Sequence, residues 1–166
     1  GPRPGRPVLR PRPGGPVIAV ASGKGGVGKT TIAVNTAIAL ARSSPTTLVD
    51  ADLGTANADL LCGLAPTRRL DGELFRAGGP DLGGLAIETP WAFRLVPGAA
   101  GVARAPEIDR IQRTGFVSSL RDLAGTGEGV VVDLGAGIGA HVVESVAASD
   151  LGVIVTTPEP TALADA

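Results

Sequence analysis

The chain has 166 residues, 43% of them hydrophobic and 2% aromatic, and a formal net charge of -1. That length supports one domain with a substantial core and is too short for two comfortable ones. The near-zero charge gives no global electrostatic case for nucleic acid, the single cysteine, Cys62, excludes an internal disulfide and suits a reducing compartment, and no apolar run is long enough to span a bilayer. With aromatics so scarce, the core must be built from Val, Leu, Ile and Ala, which suits buried parallel strands. Methionine is absent, even at position 1, so the chain reads as a fragment or a processed product.

Residues 1–16 hold six prolines, four arginines, four glycines and no acid. Such a segment cannot bury enough apolar surface to offset its ordering entropy. Residues 1–15 are therefore expected to be a disordered tail, either a solvated linker or a basic arm for an anionic surface, and the folded domain is expected over 16–166.

The apolar run Pro16–Ala21 reads as a strand and the Ala-rich stretch Thr31–Arg42 as a helix. Between them, Gly23-Lys24-Gly25-Gly26-Val27-Gly28-Lys29-Thr30 fits G-x-x-x-x-G-K-[ST], the loop that wraps a nucleotide's phosphates, in the strand–loop–helix context the motif requires. Its glycines let backbone N–H groups approach the phosphates, and the helix N-terminus adds partial positive charge. Gly23, Lys24, Gly25, Gly26, Val27, Gly28, Lys29, Thr30 and Thr31 are thus candidate nucleotide-binding residues. Lys29 is expected to reach the β- and γ-phosphates, and the Thr30 hydroxyl to sit on Mg²⁺. Of the fifteen basic residues, the only lysines are Lys24 and Lys29. An ammonium is a compact point charge and a guanidinium a wide fork, so a tight loop around a triphosphate has room for the former.

Further along, Thr46–Asp50 is a short apolar strand tipped by Asp50 and Asp52, carboxylates at the strand end where ligands bind in open α/β sheets. Asp59 and Cys62 read as structural. A short helix is expected over Leu70–Ala77, strand-like pieces at Leu85–Ile87 and Phe93–Val96, and an amphipathic helix over Pro106–Leu123 carrying Ile108, Ile111, Phe116, Val117 and Leu120, with Gly115 a weak point. Trp91 reads as a packing residue. Gly129–Asp133 is an apolar strand tipped by an acid, of the type that faces the Mg²⁺ shell through Asp133. Leu134–Gly139 reads as a mobile glycine-rich turn, and His141 as a surface or capping histidine on a helix running to Ser149. Leu151–Thr156 reads as a further strand, and 157–166 as the start of a helix.

Lys24-Gly25-Gly26-Val27-Gly28-Lys29-Thr30 resembles the deviant P-loop of the MinD/ParA superfamily of ATPases. Asp50-Ala51-Asp52-Leu53-Gly54-Thr55-Ala56-Asn57, Asp133-Leu134-Gly135-Ala136-Gly137-Ile138 and Thr157-Pro158-Glu159-Pro160-Thr161 are similar to its FlhG branch (FleN, YlxH), which sets flagellar number and placement. The resemblance implies a P-loop NTPase fold of the α/β class, with a mainly parallel sheet flanked by helices on both faces, and a domain that continues past 166. It implies ATP and Mg²⁺ as ligands, Lys24, Lys29 and Asp52 as catalytic residues, and Thr30, Asp50, Asp52 and Asp133 around the metal. Lys24 would reach across an ATP-dependent homodimer. Asp52 would orient the attacking water, with Asp50 supporting the metal shell. It also implies a cytoplasmic protein, peripheral at the inner face of the membrane through a C-terminal helix, with an FlhF-type GTPase and flagellar basal-body proteins as partners. Residues 1–15 contain no glutamine and do not resemble the family's activator segment. Two alternatives stay open: another positioning ATPase, for division or DNA partition, and an Mrp/ApbC-type iron–sulfur carrier. The latter's Tyr-Gly-Pro and Pro-Pro-Gly-Thr signatures do not occur here.

Overall fold

The computed structural model describes residues 14–99 and 108–158. Its centre is a six-stranded sheet of order β3-β4-β2-β5-β1-β6. The strands are β1 (Val17–Ser22), β2 (Thr46–Ala51), β3 (Ile87–Glu88), β4 (Arg94–Val96), β5 (Gly129–Ala136) and β6 (Leu151–Ile154). All neighbours run parallel except β3, which pairs antiparallel with β4 at one edge. The helices are α1 (Lys29–Ala41), α2 (Ala58–Leu61), α3 (Leu82–Leu85), α4 (Arg110–Gly125) and α5 (Ala140–Ala148).

The apolar runs become central strands because both of their faces are covered. Val130, Val131 and Val132 are fully buried, and alternate side chains of β5 serve opposite layers. Val131 joins Val20, Leu48 and Leu95 under Ala33, Val34 and Ala37 of α1. Val130 and Val132 join Val17, Ala19 and Val49 under Phe116, Leu120 and Leu123 of α4, with Val142 and Val146 of α5 packed against them. Helices therefore cover both faces, as the α/β reading expects. The connection leaving β1 runs over one face through α1, and the one leaving β5 runs over the other through α5. Chain paths that part in this way open a crevice at the carboxyl ends of the strands.

Several boundaries move. β5 continues through Ala136, so the glycine-rich turn shrinks to 137–139. Lys29 and Thr30 lie in the first turn of α1 instead of before it. Over the stretch expected to be a helix at Leu70–Ala77, only a 3-10 turn at Leu70–Gly72 forms. Helix α4 begins at Arg110 under a capping box, in which the Asp109 side chain accepts from the Gln112 N–H and the Gln112 side chain accepts from the Asp109 N–H. Gly115 sits inside α4 because Gly79 packs there: a Cβ on Gly115 would lie 3.0 Å from the Gly79 Cα. Ile111, expected on the apolar face, is 82% exposed. Trp91, expected to pack, is 42% exposed in the β3–β4 connection. Gly15, assigned to the tail by composition, donates to the Ala124 carbonyl at 2.8 Å. The rest of the tail, residues 1–13, and most of the helix expected over 157–166 lie outside the described residues.

Gly98, after β4, sets how closely that connection approaches the tip of β2. A Cβ there would lie 2.5 Å from the Asp50 carbonyl oxygen and 2.6 Å from the Ala56 Cβ. Gly98→Ala is expected to lower stability by about 1–3 kcal/mol, the range for overpacking a filled interior, read as a lower urea midpoint.

Candidate phosphate-binding site

The crevice holds an open cavity of about 330 Å³. Gly25, Gly26 and Gly28 of the loop, with Lys29, Thr30 and Thr31 of α1, form one wall. Ser22 and Ala136, from the ends of β1 and β5, and Asp52, Thr55, Asn57 and Leu61, from the chain after β2, complete the lining. Gly26 and Gly28 have φ of 78° and 90°, a conformation that glycine adopts without strain. A Cβ at Gly25, Gly26 or Gly28 would meet nothing within 4 Å, so crowding does not call for glycine here, whereas the positive φ does at Gly26 and Gly28. Gly28 caps α1 without a side-chain hydrogen bond, and the first turn has no acidic residue. The positive end of the α1 dipole is left to an external anion.

Beneath the loop, the Lys29 ammonium reaches across to β5 and lies 2.5 Å from Asp133 Oδ1. Both groups are buried. Burial pushes the Asp133 carboxyl above its ordinary value, with the Lys29 charge and a Thr30 hydrogen bond pulling the other way. Its other oxygen, Oδ2, is buried without a hydrogen-bond partner. Asp52 differs. Partial burial would raise its carboxyl, but the Thr55 and Gly54 N–H groups, the Thr55 hydroxyl and the Lys29 charge hold it below the usual carboxylate range. Its Oδ1 accepts from Gly54 N at 3.0 Å and Thr55 N at 2.9 Å, and its Oδ2 from Thr55 Oγ1 at 3.1 Å. Asp52 is thus a fixed anion at the cavity wall.

Asp50 corrects an expectation. It is buried, absent from the cavity wall, and turned toward backbone: Oδ1 accepts from Asp52 N at 3.2 Å, and Oδ2 from Asn57 N at 3.1 Å and Ala58 N at 3.0 Å. It anchors the segment between β2 and α2. Burial, opposed by those N–H groups and reinforced by the neighbouring Asp133 and Asp52 charges, raises its carboxyl to about 7.

Among the described residues, no group of three or more His, Cys, Asp or Glu side chains is placed to enclose a metal directly. The residues present do fit Mg²⁺, which keeps several waters and shares its shell with phosphates: the unpaired Asp133 Oδ2, the Thr30 hydroxyl beside it, and Asp52 across the cavity. Lys24 and Val27 are not part of the wall, and Lys24 is solvent-exposed. Gly23 lines a neighbouring apolar cleft with Ile138 and Val143. Ser22, Thr55 and Asn57 are wall residues that the sequence reading gave no role. Their signal was adjacency to the motifs, which alone does not say which way a side chain points.

Two flanking residues also differ from expectation. His141 is neither a surface nor a capping residue, since α5 starts from Gly139. Its ring packs 5.1 Å from that of Phe116, and its Nε2 is buried and unpaired. Burial pushes its pKa down. Asp59, read as a helix-face acid, is structural but buried, and bonds Arg69 Nη2 at 2.5 Å. Cys62 is buried, as its small-hydrophobe reading requires.

Residues 18–164 match the CobQ/CobB/MinD/ParA nucleotide binding domain. The chain belongs to that family. Within it, the chain is 40% identical over 151 residues to the antiactivator FleN of Pseudomonas aeruginosa, covering 90% of this chain and 53% of FleN. It is 37% identical over 157 residues to the flagellum site-determining protein YlxH of Helicobacter pylori, covering 90% of this chain and 50% of YlxH. These two carry the FlhG resemblance. Among solved structures, the MinC:MinD cell division protein complex of Aquifex aeolicus matches with a TM-score of 0.74 and 27% identity, over 91% of this chain and 60% of that one. The chain spans about half the length of the curated relatives it matches. The doubly covered, mainly parallel sheet is therefore the MinD/ParA nucleotide-binding fold.

The raised Asp50 carboxyl carries a sign. A carboxyl whose pKa rises on folding binds its proton more tightly in the native state, so stability falls as pH climbs from the unfolded value toward the folded one. Between pH 3.8 and about 7, the wild-type protein is expected to lose unfolding free energy relative to Asp50→Asn. At ~1.4 kcal/mol per unit, the loss totals at most ~4 kcal/mol, read by urea unfolding across that range.

Proposed function

We propose that this chain is the nucleotide-binding part of an ATPase that hydrolyses ATP to time its own dimerisation, and that the timed process is flagellum number and placement. The observation that carries the reading is a phosphate-sized cavity in which a buried lysine, held by Asp133, faces a fixed, ionised Asp52. Similarity to FleN and YlxH supports the flagellar assignment.

In this reading the loop N–H groups and the α1 N-terminus take the inner phosphates. Lys29 shares its charge between Asp133 and the β- and γ-phosphates. Asp52 accepts a hydrogen bond from the attacking water and orients it. The water oxygen bonds to the γ-phosphorus, the bond to the bridging oxygen breaks, and ADP and phosphate leave. Positive charge at Lys29, and at Lys24 from a second copy, stabilises the charge that builds in the transition state. Thr30, Asp133 and Asp52 would hold Mg²⁺, which when bound would neutralise charge on the phosphate oxygens. Lys24 suits the cross-dimer role because it is exposed outside the cavity wall, where a partner's nucleotide can meet it. Loss of the terminal phosphate then loosens the segments after β2 and β5, and the dimer separates.

The proposed location is cytoplasmic and peripheral at the inner face of the membrane, with an FlhF-type GTPase and basal-body proteins as partners. Among the described residues, no helix is long and apolar enough to cross a membrane. A division-site positioning ATPase is the second reading, favoured by the structural match to a MinD bound to MinC. The iron–sulfur alternative has a single cysteine in this chain to work with, and Cys62 is buried.

Three variants test the mechanism, each first checked by thermal melting for folding. Lys29→Ala is expected to abolish nucleotide binding. Lys24→Ala should bind ATP but fail to dimerise by light scattering. Asp52→Ala should lower turnover about 100-fold, the size of losing one transition-state contact, and leave a persistent ATP dimer. Normal turnover in Asp52→Ala would remove it from the mechanism, and an ATP-dependent dimer in Lys24→Ala would remove the cross-dimer lysine.

A further inference from the structure

Ser22 closes β1 and is only 2% exposed, yet its hydroxyl makes no hydrogen bond. A buried hydroxyl left unpaired is destabilising, and alanine at this position would fill the same wall without that penalty. The residue lies in the cavity wall on the strand side, with Asp52 and Ala136. Its pairing with β5 is irregular: the register shifts between Val20 and Ser22, so that Ser22 stands opposite Ala136. Bulges of this kind re-aim a side chain near functional sites. The Ser22 carbonyl, meanwhile, accepts the N–H of Gly137 at 2.8 Å, and Gly137 opens the 137–139 turn with a φ of 101°. One residue therefore leaves an unpaired hydroxyl in the wall that this cavity shares with the neighbouring apolar cleft, and its carbonyl holds the turn after β5.

We infer that the Ser22 hydroxyl donates to a terminal-phosphate oxygen of a bound nucleoside triphosphate, and that its carbonyl ties the 137–139 turn to that contact. The inference rests on the nucleotide reading above. The inner phosphates have their donors in the loop N–H groups and α1. Ser22 lines the cavity from the end of β1 and Asp52 from just after β2, and in that reading Asp52 marks the reacting end of the triphosphate. A hydroxyl satisfied only when a third phosphate is present distinguishes triphosphate from diphosphate. Ser22 is on this account a positioning residue for the turn, and a discriminator between the two ligands.

The test compares wild type, Ser22→Ala and Ser22→Thr in titrations with ADP and with the non-hydrolysable analogue AMP-PNP, together with thermal melting without nucleotide. Ser22→Ala is expected to bind AMP-PNP about tenfold more weakly, the effect of one hydrogen bond to a charged group, while ADP affinity changes less than about twofold. Ser22→Thr, which keeps the hydroxyl, should restore AMP-PNP binding. Without nucleotide, Ser22→Ala should melt at or above wild type, because it removes an unpaired buried group. Equal losses for ADP and AMP-PNP, unchanged AMP-PNP binding, or a melting temperature well below wild type would each overturn the inference. If wild type binds neither nucleotide, the nucleotide reading falls and takes this inference with it. If wild type binds both and Ser22→Ala matches it, only the Ser22 inference falls.

Discussion

One ammonium among three carboxylates is the constraint on which the site depends. Asp50 and Asp133 are direct register partners on adjacent parallel strands, which brings two acids side by side in the interior. Asp52 lies two residues further along, at the cavity wall. Burial alone disfavours charge on all three. Lys29 is the cation the fold supplies to them, and it sits on Asp133 at 2.5 Å. Removing either member of such a pair would leave an uncompensated buried charge or force a proton onto the acid. The strand–loop–helix unit from β1 to α1 does more than present glycines to a ligand. It delivers the one ammonium that lets β2 and β5 end in acids next to each other.

The three acids then divide their work by environment. Asp50 is turned inward and holds N–H groups that begin the segment leading to α2, and its raised carboxyl follows from that burial. Asp52 is turned outward, and three donors from Gly54 and Thr55, with the Lys29 charge, hold its carboxyl below the usual range. Asp133 stands between them, with one oxygen on Lys29 and the other unsatisfied. An interior with more carboxylate than ammonium attracts a cation, and a helix N-terminus opposite attracts an anion. The same cavity is therefore suited to a metal and a polyphosphate together, and less so to either alone.

How much of this was legible in the sequence follows from which forces are local. The strand–loop–helix order, the acid-tipped strands and the two-faced packing were readable, because valine runs and Gly-x-x-x-x-Gly-Lys-Thr impose their structure within a few residues. Asp50 was misplaced for a different reason. Whether a strand-end acid faces ligand or backbone depends on how residues 53–58 fold back over it, which no local pattern encodes. Phe116, Leu120 and Leu123 fall on one face at i, i+4, i+7 spacing and are buried, whereas Ile111 lies about 140° round the helix from Phe116 and is exposed. A list of apolar residues therefore misleads where their period does not. Gly115 read as a weak point because propensity sees only the helix, while the Gly79 backbone packed against it comes from a distant turn. His141 looked like a helix-start residue and became a ring against Phe116, a contact decided by the approach of α4 to α5.

The edge strand β6 shows how far the site depends on its surroundings. Leu151 and Ile154 are 43% and 49% exposed, whereas β1, β2 and β5 are buried almost end to end. β6 also borders the apolar cleft that Ile138 and Val143 share with Gly23. Yet the residues lining the cavity come from β1, β2 and β5 and the segments that follow them, and each of these strands has hydrogen-bonded neighbours on both sides. Their register fixes Asp50 against Asp133 and Ser22 against Ala136 without any residue of β6. The placement of Lys29 among its acids is therefore set by the register of the three inner strands and not by the exposed edge.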